Sequence, residues 1–264
     1  MRIAGMLVAL ALAAPLAAPF AVMASEEHVK LDHMPADVNP NDPASLQRGA
    51  QVYVNYCLGC HSAGYMRYNR LMDLGLTEQQ IRDNLIFTGA KVGELMAIGM
   101  TPKDAKESFG APPPDLSVIA RSRSSGAGSG ADWLYTYLRS FYRDTSRPTG
   151  WNNTVFPNVG MPHMLYQLQG EQVLKTEVLL QPRGGGKKED ALKIEVQKLV
   201  LEKPGTMTPA EYDRLVADLV NFLSYVAEPA KHFRQQLGYY VLMFLAVLFV
   251  YAYVLKKEFW KDVH

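Results

Sequence analysis

The chain has 264 residues, of which 48% are hydrophobic and 20% charged, and its formal net charge is +1. That balance excludes a basic nucleic-acid-binding surface, and the apolar share excludes a chain too polar to build a core. Only two cysteines are present, which excludes a small scaffold stapled by several disulfides.

Residues 1–24, "MRIAGMLVALALAAPLAAPFAVMA", set Arg2 before an Ala/Leu-rich run, with Val22 and Ala24 at the −3 and −1 positions of a cleavage site before Ser25. This is the layout of a secretory signal peptide. The competing reading, an uncleaved N-terminal anchor, exports residue 25 onward equally. Residues 25–236 are enough for one core with insertions or for two small domains.

The first predicted element of that region starts at Asp42-Pro43, an N-cap followed by proline at the first helical position. Leu46, Ala50, Tyr53 and Cys57 then recur on one helical face. Cys57 and Cys60 stand i, i+3 apart and His61 is i+4 from Cys57, so three reactive side chains share one turn. Two cysteines in an oxidising compartment would ordinarily form a disulfide. Cys-x-x-Cys-His, however, is the spacing of c-type haem attachment. There the thiols add to the haem vinyl groups and the imidazole becomes the proximal iron ligand. A thioredoxin-like redox pair needs a βαβ context that the flanking pattern lacks. A zinc site needs further donors, usually a second cysteine pair. The expectation is one covalently attached haem c.

Thr77-x-x-Gln80 is a capping box that opens a second helix. Arg121 and Arg123 follow an apolar turn and, on their residues alone, read as surface arginines with guanidinium groups suited to carboxylates. "SRSSGAGSGADW", residues 122–133, reads as a flexible surface loop. A methionine thioether is the soft sixth ligand of electron-transfer cytochromes. Met6 and Met23 lie in the signal, Met243 in the C-terminal apolar run, and Met66 and Met72 too near the haem-bearing turn. Met96, Met100, Met161, Met164 and Met207 are the candidates. Met161 stands in "FPNVGMPHML", where Gly160 permits close backbone approach and Pro162 stiffens the loop. His163, two residues on, competes with it.

Residues 172–203 alternate apolar and polar stretches around "PRGGGKKED", the pattern of a two-stranded hairpin with a glycine-rich basic tip. Thr208-Pro209-x-Glu211 is a second capping box. It opens a helix with Leu215, Leu219, Phe222, Leu223 and Val226 on one face, ended by Ala227-Glu228-Pro229 and expected to cross the haem-bearing helix. Residues 237–255 carry no charged side chain and suffice for one membrane span; a buried core helix is the competing reading. Lys256, Lys257 and Lys261 follow, which assigns residues 256–264 to the cytoplasm. No internal repeat is evident.

The segments "RGAQVYVNYCLGCHSAGYMRY", "PPPDLSVIARSR", "PTGW…FPNVGMPHML" and "LVNFLSYVAEP", with the C-terminal apolar run, together resemble the cytochrome c1 family, across most of residues 42–256. The resemblance implies a mainly α fold: a class I cytochrome c-like haem domain with insertions and a minor β-hairpin, plus one C-terminal transmembrane helix. It implies that Cys57 and Cys60 hold the haem, that His61 and Met161 are its axial ligands, that Arg121 pairs with a propionate and that Pro113 packs on the ring. It further implies a carrier subunit of the bc1 complex, not an enzyme by itself, in the bacterial inner membrane with its haem domain in the periplasm. The implied partners are cytochrome b, the Rieske iron–sulfur protein as donor and a cytochrome c as acceptor, within a dimeric complex. Two features depart from relatives: mammalian members are much shorter around residues 172–203, and the extra disulfide of some bacterial members cannot form here. The competing functions are a free-standing anchored cytochrome serving an oxidase and a haem peroxidase with an open distal site. The separation of one hundred positions from His61 to Met161 exceeds what a compact cytochrome needs, which favours surfaces for fixed partners.

Overall fold

The computed structural model describes residues 30–262 apart from 37, 40 and 182–191. The expected signal peptide and the tip of the expected hairpin lie outside the described residues. Helix α1 spans Pro43–Val52, and Asp42 caps it by accepting from the amides of Ala44 and Ser45. One π-helical turn, Tyr53–Cys57, follows, closed by the Leu58 amide on the Tyr53 carbonyl at 2.9 Å. The expected run of regular helix into the Cys-x-x-Cys-His segment is thus widened by one residue, a local geometry that recurs at functional sites. Leu46, Ala50 and Tyr53 are buried, as their shared face requires.

Strand β1 (Ala63–Arg67) leaves the turn and pairs antiparallel with β2 (Leu95–Met96). Between them lie a 3-10 turn, Tyr68–Leu74, and helix α2 (Glu78–Leu85), whose Thr77–Gln80 capping box closes in both directions. Helix α3 (Pro102–Phe109) precedes the proline-rich loop, and the four-residue α4 (Ile119–Ser122) follows it. Helix α5 covers Gly130–Arg139 with Ser129 as N-cap. The expected loop at 122–133 therefore ends four residues early. Gly130 explains the glycine content: a Cβ there would stand 2.0 Å from the Ala120 carbonyl oxygen, so α4 and α5 touch backbone to backbone. The short strands β3 (Phe141–Arg143) and β4 (Trp151–Asn153) form a second antiparallel pair. After α6 (Tyr166–Gln169), β5 (Gly170–Gln181) and β6 (Leu192–Pro204) form the third and longest.

Helix α7 (Pro209–Ala227) starts on the closed Thr208–Glu211 capping box and stops before Pro229. It is buried more widely than a single stripe: Tyr212, Val216, Leu219, Val220, Phe222, Leu223 and Val226 all enter the core. It crosses α1 at Gly49, where a Cβ would lie 2.1 Å from the Asp218 carbonyl oxygen and 2.6 Å from the Phe222 Cβ. Beside that crossing the buried Asp218 carboxylate accepts from the Ser45 hydroxyl at 2.6 Å and from Arg48 Nε at 2.6 Å. Arg139 ties α5 to the same helix through Asp213 at 2.6 Å, and to the incoming chain through Asp32 at 2.8 Å. Helix α8 runs Lys231–Phe259, six residues earlier in its start than expected, because nothing after the Pro229 break opposes helix at Lys231 or Arg234. Within it Phe233–Phe259 is long and apolar enough to cross a membrane and is unburied by the rest of the chain, which fits an anchor.

The α1–α7 contact has a direct test. Gly49→Ala forces the helices apart, an overpacking cost of about 1–3 kcal/mol, and is expected to lower the thermal unfolding midpoint of the full-length protein in detergent by roughly 3–10 °C. A melting curve that superimposes on the parent would mean that the crossing tolerates a methyl group.

Candidate functional site

The Cys-x-x-Cys-His segment is held by bonds that begin in its own helix. The Cys60 and His61 amides both donate to the Cys57 carbonyl, at 3.0 and 2.8 Å, and the Tyr53 hydroxyl donates to the His61 carbonyl at 2.7 Å. Cys57, Cys60 and His61 are each half-buried, and both thiols are free. Part of Cys57 reaches the surface, but the apolar surroundings of its sulfur, with Cys60 beside it, push the thiol up to about 12. A thioredoxin-type pair works through a lowered thiol pKa, so this environment opposes that chemistry. Nor do the described residues gather three or more His, Cys, Asp or Glu side chains as a metal cluster.

The orientation of His61 is set from 53 residues away. Its Nδ1 lies 2.7 Å from the Pro114 carbonyl oxygen. A carbonyl only accepts, so Nδ1 carries the proton and Nε2 keeps the lone pair a metal requires. The proline-rich loop is itself pinned to the chain after His61. The Gly64 amide donates to Asp115 at 2.8 Å, the Tyr65 amide to the Ser117 hydroxyl at 3.0 Å, and the Leu116 amide to the Ser62 carbonyl at 2.8 Å. Pro113, one residue before the carbonyl in question, is half-buried, whereas Arg121 at the end of α4 is exposed. Arg123 is half-buried instead, with its guanidinium 4.6 Å from the Trp133 ring centroid and 5.6 Å from that of Phe156.

Met161 is half-buried against the same core as Cys57. Its Sδ accepts from the Tyr137 hydroxyl at 3.5 Å. The loop that carries it is fastened by side chains the sequence reading passed over. Asn153, fully buried, accepts from the Val155 and Phe156 amides and donates to the Tyr137 carbonyl at 2.8 Å. Asn152 accepts from the Asn158 amide, and Arg147 donates to both the side chain and the carbonyl of Asn158, which takes up φ 63°. Three asparagines and an arginine within twelve residues were the available signal, since amide side chains accept and donate at once.

His163, the competing ligand, is buried with its ring parallel to Phe141 at 4.9 Å and edge-on to Trp151 at 5.1 Å. Burial pulls it down to about 4, and Gln169, which favours the charged form slightly, stays outside hydrogen-bonding geometry with Nε2. It is a neutral core side chain. Among the other methionines weighed, Met96 is fully buried in β2 and Met164 is exposed.

Two free thiols on one turn and an imidazole whose Nδ1 proton is already engaged are donors that fit a c-type haem, and Met161 offers a thioether held by its own hydrogen-bond donor. A model of the Cytochrome C1 family matches residues 36–94 and 191–263. The chain is 51% identical to the ammonia monooxygenase gamma subunit of Nitrosomonas europaea, over 96% of this chain and 97% of the relative. It is 49% identical to cytochrome c1 of Allochromatium vinosum, over 94% and 96%, and 27% identical to that of Rhodospirillum rubrum, over 84% and 83%. With similarity of this depth across nearly the whole length, the chain belongs to the cytochrome c1 family, the haem-bearing electron-transfer subunits of bc1 complexes.

Proposed function

We propose that this chain carries single electrons from a Rieske iron–sulfur protein to a cytochrome c acceptor through one haem c, attached by Cys57 and Cys60 and ligated by His61 and Met161. The observation that carries the reading is the 2.7 Å bond from His61 Nδ1 to the Pro114 carbonyl, which leaves Nε2 for iron. When bound, haem supplies a one-electron Fe(III)/Fe(II) couple. His61 and Met161 would hold the iron from the protein side, so that one electron could enter and one leave with no bond made or broken in the protein. With His61 and Met161 both as ligands, the iron would have no open position of the kind a peroxidase needs. Arg121, exposed and cationic, is free to meet a propionate, and Pro113 stands next to the carbonyl that orients His61.

The charge-free run from Gly238 to Leu255, with three lysines after it, supports a single-pass anchor whose C-terminus is cytoplasmic. The haem domain then lies in the periplasm of a bacterial inner membrane, against cytochrome b and within a dimeric complex. A second reading rests on the name of the Nitrosomonas relative: the same carrier serving as a subunit of a monooxygenase. The partner that co-purifies with the chain distinguishes the two.

Three outcomes follow from the reading. Met161→Ala is expected to retain haem while its midpoint potential falls by roughly a few tenths of a volt, and Met164→Ala to leave the potential in place; a redox titration unchanged in Met161→Ala removes it as a ligand. With both thiols engaged, denatured protein keeps its haem through acid–acetone extraction and runs as a haem-staining band, and Cys57→Ser or Cys60→Ser greatly reduces the yield of that band. Truncation after Gln236 is expected to give a soluble periplasmic protein with full haem content that no longer co-purifies with cytochrome b, because tethering raises a partner's effective concentration without new contacts. A truncated protein that loses its haem would make the anchor part of the fold.

A further inference from the structure

Tyr137, on α5, meets the Met161 sulfur under unusual constraint. The residue is 8% exposed, and its ring is held on two sides. Trp133 stacks on it at 4.8 Å with 13° between the planes, and Phe141 meets it edge-on at 5.1 Å. The Arg123 guanidinium lies over the Trp133 ring of that stack, 4.6 Å from its centroid. Tyr137 anchors the methionine loop at a second point, because its carbonyl accepts from the buried Asn153 side-chain amide at 2.8 Å. One residue therefore holds both the base of the loop, through its backbone, and the sulfur near its tip, through its hydroxyl.

A thioether sulfur has two lone pairs, so it can serve a metal with one while accepting a hydrogen bond with the other. An O–H on the second pair draws density from the sulfur and makes it a poorer donor. A poorer donor disfavours ferric iron more than ferrous, and the reduction potential rises. We infer that Tyr137 is a positioning residue, which orients Met161 through its O–H···S bond and sets the potential of the centre above what a Met/His pair alone would give. The inference rests on the reading of Met161 as an axial ligand.

The test uses the full-length holoprotein in detergent. Tyr137→Phe preserves the ring and its stacking and removes only the hydroxyl. It is expected to keep haem content and the sulfur-to-iron charge-transfer absorption while shifting the midpoint potential downward. Replacing Tyr137 by 3-fluorotyrosine, which keeps the ring and strengthens the donor, is expected to shift the potential upward. That reversal of sign is something a purely structural role does not produce. Tyr135→Phe serves as the control, because that ring lies against Arg139 at 4.3 Å, and it should leave the potential in place. A potential unchanged in both Tyr137 variants, with Met161→Ala still lowering it, overturns this inference and leaves the ligation standing. A potential unchanged in Met161→Ala overturns the ligation and this inference with it.

Discussion

The crossing of α1 and α7 at Gly49 is the contact on which the rest of the molecule is hung. With no Cβ on Gly49, the backbone of α1 comes against the Asp218 carbonyl of α7, an approach any larger residue would prevent. Close packing alone would let the two helices slide. The Asp218 carboxylate, 4% exposed, removes that freedom by binding Ser45 and Arg48 one turn apart on the facing helix. A buried carboxylate that lost those donors would be strongly destabilising, so the pair fixes register as well as distance. Asn221 extends the lock by donating to Ser45 at 3.0 Å.

From that crossing the two halves of the proposed haem site are suspended by different means. The Cys57–His61 turn continues α1 directly, and the proline-rich loop docks onto the segment after it, so the His61 side is rigid because backbone bonds make it so. The Met161 side carries almost no regular structure. Its stiffness comes from amide side chains, Asn152 and Asn153, and from the aromatic stack of Trp133, Tyr137 and Phe141. Electron carriers change charge without changing shape, and both constructions resist movement at the side chains proposed as ligands. They differ in where the resistance comes from: local backbone hydrogen bonds on one side, distant side chains on the other.

The long β5–β6 hairpin and helix α8 stand apart from this arrangement. The hairpin joins the body through its base, where Glu171 binds Arg143 and Lys203, both at 3.1 Å, and these two cations hold its carboxyl down to about 2. Gln172 adds bonds to the Arg139 and Phe141 carbonyls. Beyond that base Lys175, Thr176, Glu177 and Val178 are exposed. Helix α8 is likewise exposed over nearly its whole surface, with large apolar side chains outward, as a helix solvated by lipid should be.

What the sequence by itself determined was whatever depends on neighbours within about one turn. The Asp42, Thr77 and Thr208 caps and the Cys-x-x-Cys-His turn are set mainly by bonds between residues two to five apart, and the stop before Pro229 and the apolar span by local composition, so their spacing in the chain is already their spacing in space. The π-helical turn at Tyr53–Cys57 and the helix beginning at Gly130 mark the edge of that legibility, because each is selected by what it packs against. Only the tertiary structure decided the rest. The carbonyl that orients His61 comes from 53 residues away, the hydroxyl on Met161 from 24, and the carboxylate that locks Arg48 from 170. Periodicity shows that a face is apolar, but not which distant face covers it. A Pro114 carbonyl or a Tyr137 hydroxyl has no signature in sequence until the fold has brought it to its partner.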